Sequence, residues 1–196
     1  MKTKISDIAD IQVGYQFRKR LHPQPDGSHC VIQAADIDEA DGHRLLVRQL
    51  VRLTPDRDAA KWEVSDGDVI FLSRGRRNFA TMIENLPQGC RALTAGHFHI
   101  LRRKANSVAP EYLVWAINAP AAQAYIRSAA RGSAMPFISK DVFAELEIDL
   151  PPLHVQERIV RLHSLSLHEQ RLMQRLQQKR AEIVKKVCIK AVRQHG

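Results

Sequence analysis

His97 and His99 stand two residues apart in an apolar run, a spacing that sets two imidazoles on one face of a strand as a pair of metal ligands would require. No third ligand follows at a metal-site spacing, and paired histidines on an alternating strand more often face solvent or a polyanion than a zinc ion. Asp66 and Asp68 flank Gly67 in a turn. A nuclease pair there would need a Glu-x-Lys on the next strand, and none follows, so the two carboxylates read as a solvated turn. Asp149-Leu150-Pro151-Pro152-Leu153 has the outline of the Asp/Asn-Pro-Pro-aromatic motif of amino-methyltransferases, with an extra leucine and no aromatic, so it reads as a linker. No Gly-x-x-x-x-Gly-Lys-Ser/Thr loop and no Gly-x-Gly-x-x-Gly fingerprint occurs. Cys30, Cys90 and Cys188 are odd in number and contain no CxxC pair, which predicts reduced thiols that are buried or incidental. No catalytic residue, metal or cofactor is therefore expected.

The remaining candidates are cationic. Arg18-Lys19-Arg20 follows Gly14-Tyr15-Gln16-Phe17, Arg74, Arg76 and Arg77 lie with Asn78 in Ser73–Asn78, and Arg131-Gly132-Ser133 closes the stretch from Arg127. A guanidinium is a planar fork that holds a phosphate, or the O6/N7 edge of guanine, with two bonds at once. Asn78 has the donor and acceptor to read adenine, and a bidentate base contact contributes about 1 to 3 kcal/mol of discrimination. A solvated loop with no partner is the alternative for any one cluster. Arg18, Lys19, Arg20, Arg74, Arg76, Arg77, Asn78, Arg131 and Ser133 are the expected DNA contacts.

These residues need a scaffold. Ser65-Asp66-Gly67 is a turn signal before the alternating run Asp68–Leu72, so the middle cluster should hang from a strand end. His97–Leu101 and Ala144–Leu150 are further strand candidates. Pro110–Ile117 reads as a helix with proline in its first turn, and Ala121–Ala130 continues helical after Pro120. Residues 1–152 are thus expected to form a mixed α/β domain.

After Pro151-Pro152 there is no proline, and the only glycine is Gly196, so residues 153–196 predict one long helix of roughly 60 Å. Leu162, Leu165, Leu172, Leu176, Ile183 and Val187 fall near the rhythm of a coiled-coil seam, interrupted by Glu169 and Lys179. A narrow apolar stripe implies a partner helix; a helix folded back on its own domain is the alternative. The fold class expected is α+β, with one long C-terminal coiled-coil helix used for dimerisation and subunit docking.

Charge supports the same division. The chain carries a formal net charge of +9, and ten Lys or Arg against three Asp or Glu follow His154, so the tail holds most of the excess. Any polyanion-binding face in the front domain must then be local. The N-terminus lacks an apolar signal, and no run approaches 18 apolar residues, which predicts a soluble, cytoplasmic protein with no membrane partner.

The order of the pieces resembles the specificity (S) subunit of type I restriction-modification systems over nearly the whole chain. The residues that carry it are Ile8–Gly14, Val31–Ile37, Val64–Gly75 with its Gly67-Asp68-Val69-Ile70, Pro110–Leu113 and Gln123–Ile126. Most specific is Leu146–Leu153 with Gln156 and Ile159-Val160, similar to the junction where that family's recognition domain enters its long helix. The resemblance implies a non-catalytic target-recognition domain that reads double-stranded DNA and directs a methyltransferase (M) subunit, and possibly a restriction (R) subunit, with S-adenosylmethionine bound by the partner. Such subunits usually carry two recognition domains and two long helices. This sequence has one of each, so a homodimer on a bipartite target of inverted half-sites is expected. A coiled-coil adaptor or antirestriction decoy that binds the methyltransferase without reading DNA is the competing expectation.

Overall fold

In the computed structural model, which describes residues 2–18, 22–39, 41–104, 107–132 and 134–194, and the side chains of these except 49 and 191–194, the chain alternates short strands and helices before one long helix. In chain order the elements are β1 (Lys2–Lys4), α1 (Ile5–Ile8), β2 (Ala9–Val13), β3 (His29–Ile32), β4 (Ile37–Asp38), β5 (Arg44–Leu45), β6 (Val51–Leu53), β7 (Glu63–Val64), β8 (Val69–Leu72), β9 (Ala80–Met82), β10 (Arg91–Thr94) and β11 (Phe98–Arg103). They continue with α2 (Pro110–Asn118), α3 (Pro120–Ala129), α4 (Lys140–Ala144), β12 (Glu147–Asp149) and α5 (Leu153–Gln194). The mixed α/β class with a long final helix is as expected. Two compact units divide the chain, residues 1–160 and 161–196, and α5 gives its first turns to one and the rest to the other.

Two four-stranded sheets organise the first unit, ordered β2-β11-β8-β9 and β6-β3-β10-β7, with the small pairs β1-β12 and β4-β5 beside them. β8 shows how a short sequence serves two cores at once. Its alternate residues point to opposite faces. Val69 and Phe71 pack with Tyr112, Leu113 and Phe143 from α2 and α4, whereas Ile70 and Leu72 pack with Ile32, Phe98 and Ile100. All four are buried, so the strand reads as a continuous apolar run, as strands covered on both faces do.

Prolines set the helix starts. Pro110 and Pro120 each occupy the first turn of a helix, where the missing N–H costs nothing and φ is already helical. Ser139 caps α4 by accepting from the Val142 amide. That helix overrides part of the expected third strand: residues up to Ala144 are helical, and only Glu147–Asp149 pairs, antiparallel to β1. Apolar alternation alone does not reveal a serine cap a few residues upstream.

The start of α5 is fixed by Gln156. Its buried amide donates to the Ser107 and Pro151 carbonyls, both at 2.8 Å, and its Oε1 accepts from the Ala109 amide at 2.9 Å. One side chain thereby satisfies three backbone groups around the Pro-Pro linker and ties the helix entry to the loop before α2. In the second unit, Leu162, Leu165, Leu172, Leu176, Ile183 and Val187 are between 46% and 71% exposed, so the apolar stripe is uncovered in this single chain. No helix among the described residues is long and apolar enough to cross a membrane.

Candidate nucleic-acid interface

β8 ends where the chemistry begins. The Leu72 amide donates to the Phe79 carbonyl at 2.8 Å, closing Ser73–Asn78 as the loop between β8 and β9. Gly75 turns it with φ 150°, a conformation side chains disfavour. Inside the loop, the Asn78 Nδ2 donates to the Leu72 carbonyl at 2.9 Å, so this amide braces the loop. Arg74, Arg76 and Arg77 are exposed. Arg77 pairs with Glu39 at 2.8 Å across an exposed contact, an interaction of small net energy.

A second loop is zipped to the first. The Ile138 amide donates to the Ser73 carbonyl at 2.9 Å and the Gly75 amide to the Pro136 carbonyl at 3.0 Å. Arg131 and Phe137 exchange two further backbone bonds, at 3.0 and 2.9 Å, across the turn at Gly132. The Phe137 ring lies under the Arg74 guanidinium, 4.9 Å from its centroid, which orients the cation without neutralising it. Two of the basic segments expected from the sequence thus converge on one surface. Ser133 lies outside the described residues.

Two cavities flank the Arg loop. One, of about 490 Å³, is lined by Gln16, Phe17, Arg74, His97, Phe137 and Lys140 among others, and so brings the segment before Arg18 to the same place. Arg18 itself is exposed, while Lys19 and Arg20 lie outside the described residues. The other, of about 290 Å³, is walled by His43, Arg76, Arg77, Asn78, Asn118, Gln123 and Arg127. Neither wall contains an Asp or Glu among the described residues. Cations, amides and aromatic edges around water-accessible hollows suit phosphate oxygens and base edges, and they offer no nucleophile or general-base pair.

The histidine pair requires a correction. His97 precedes β11 and lines the larger cavity, where burial and then the Arg74 charge hold its imidazole below the usual value. His99 is buried inside the unit with Nε2 3.0 Å from the Ile138 carbonyl, and burial lowers its affinity for a proton as well. Both side chains line the larger cavity, as the two-residue spacing anticipates, but His99 is buried at its base and does not face solvent. Asp66 and Asp68 accept from the Leu86 and Ser65 amides and close turns. Gln16, Phe17, His43 and Lys140 joined the surface without a signal in the sequence, since each is an isolated residue brought in by tertiary packing.

The sequence matches the type I restriction modification DNA specificity domain over residues 1–183. A comparison with curated proteins finds no match. Among solved structures, the S subunit of a type I restriction-modification system from M. genitalium shares 14% identity and a TM-score of 0.58, over 88% of this chain and 39% of that one. The HsdS subunit from Thermoanaerobacter tengcongensis gives 18% and 0.58, over 87% and 37%. A chain from a study of complex assembly and conformational transition of the type I R-M system gives 17% and 0.64, over 95% and 43%. At these identities the likeness is one of fold, and the present chain spans about two fifths of each of these longer chains. With its match running over most of its length, this chain belongs to the family of type I restriction modification DNA specificity domains.

Proposed function

We propose that this chain is a non-catalytic DNA-recognition subunit, or the recognition half of one, in a type I restriction-modification system. The observation that carries the reading is the convergence of the Ser73–Asn78 and Arg131–Phe137 loops into one cationic surface, with Glu39 beside Arg77 and with a hollow on either side whose described lining holds no Asp or Glu. Arg74, Arg76, Arg77 and Arg131 contact double-stranded DNA, and Arg18, Lys19, Arg20 and Ser133 are further contacts on this reading. Asn78 holds the loop in shape. Residues 1–152 read the target and residues 153–196 serve dimerisation and docking of a methyltransferase subunit, with a restriction subunit possible in the full assembly. Two copies joined through Leu162, Leu165, Leu172, Leu176, Ile183 and Val187 read a bipartite target of inverted half-sites, in the cytoplasm, with no cofactor of their own.

The test is a salt titration of duplex binding. Replacing Arg74, Arg76 and Arg77 together by alanine should reduce the slope of log affinity against log salt by about one unit for each lost phosphate contact, with the thermal midpoint nearly unchanged. Parent affinity for DNA that is absent in the presence of the methyltransferase would instead favour the adaptor or decoy that never reads DNA. An unchanged slope in the triple variant would move the reading surface elsewhere.

A further inference from the structure

Met135 stands out among the cations of the recognition surface. It is 61% exposed, and among the described residues of 1–152 it is the only exposed large apolar side chain. A solitary methionine on a solvated face is ordinary. This one is held at the tip of a loop with a stiff base. Arg131 and Phe137 exchange both backbone bonds beneath it, and the bonds from Gly75 to Pro136 and from Ile138 to Ser73 tie the same segment to the Arg loop. Gly132, at φ 92°, closes the turn so tightly that a Cβ there would lie 3.2 Å from the Met135 carbonyl oxygen. Ala134 and Met135 are left exposed above this base.

Its neighbours divide the work of holding a polyanion. Exposed Arg131 stands at one end of the loop, and at the other Arg74 and Lys140 line a cavity together with Phe137. Guanidinium and ammonium groups grip phosphates. A thioether has no proton to donate, so Met135 gains nothing from the backbone of a duplex. It gains from the bases. A thymine methyl is reached by side chains as short as alanine, whereas a long, unbranched, polarisable chain on a stiff mount suits the gap between two base pairs.

We propose that Met135 is a wedge that enters between two adjacent base pairs of duplex DNA once the surrounding cations are seated on the phosphates. The proposal rests on the DNA-reading function above and deepens it. Steps that unstack cheaply, such as TA and CA, are then favoured without a hydrogen bond to any base edge.

The test uses the full-length chain at low salt with two short duplexes of one sequence, the second carrying a single-base bulge at its centre. A bulge has already given up the stacking that a wedge must break, so the parent should bind the bulged duplex about tenfold or more tighter than the intact one. Met135→Gln, of similar length but polar, should bind both alike, and Met135→Leu should keep the preference. Both variants should match the parent in thermal midpoint and in the salt slope on the intact duplex. Equal binding of the two duplexes by the parent, or a preference that Met135→Gln retains, overturns the wedge and leaves the DNA reading standing. Equal binding joined to a loss of affinity when uracil replaces thymine, absent in Met135→Gln, makes the residue a base-edge contact and overturns the wedge as well. A parent that binds neither duplex overturns the reading, and the wedge falls with it.

Discussion

His99 sits among Phe71 and Phe143 with one ring nitrogen facing the Ile138 carbonyl and the other without a partner, an environment that favours the neutral imidazole. Burial holds its folded pKa below the ordinary imidazole value of 6.5, and His97 is lowered in the same direction. The unfolded chain therefore takes up protons first as pH falls. Stability is full above pH 6.5 and declines toward the depressed folded values, by at most about 1.4 kcal/mol per pH unit for each imidazole. Thermal melts from pH 7.5 to 5.5 should show a falling midpoint, and His99→Gln should flatten the dependence; an equal slope in both would assign the proton uptake to another group. At this scale the sequence was only partly legible. The arginines declare themselves by type and loop context, whereas the fate of His99 depends on which strands cover β11, and spacing carries no such information.

The elements whose periodicity is local were the most legible. Pro110 and Pro120 at helix starts, the Pro151-Pro152 stop and the proline-free, glycine-free run that follows all act within a few residues of themselves. What stayed hidden is the pairing of Ser73–Asn78 with Arg131–Phe137, because backbone hydrogen bonds between loops some sixty positions apart leave no mark on side-chain pattern. The stripe on α5 makes its own prediction. Leu172 and Leu176 are about half exposed in one chain, so Leu172→Glu with Leu176→Glu should leave the folded monomer intact while disrupting self-association. Sedimentation that still shows a dimer would locate the interface off the stripe.

For the whole molecule, length sets the question. The chain spans about two fifths of these solved structures, and on the proposed reading it supplies one recognition unit, for which two-fold symmetry is the simplest way to present two. Identical readers related by such an axis select inverted repeats. Binding selection from a random duplex library, with the methyltransferase subunit present, should enrich a split motif whose halves are inverted copies at fixed separation. Enrichment of a single unsplit half-site would mean that one unit reads alone, and no enrichment would favour sequestration.

The bonds from Ile138 to Ser73 and from Gly75 to Pro136 carry a consequence for redesign. Two loops stitched by their backbones behave as one inheritable cassette. Grafting residues 73–78 alone from a relative whose loop differs in length, or places a proline at position 75, would leave a carbonyl or an amide stranded at the seam and tilt the cation platform. A change of target preference should therefore transplant cleanly only when both segments travel together, while β8 beneath them, covered on both faces, stays as it is.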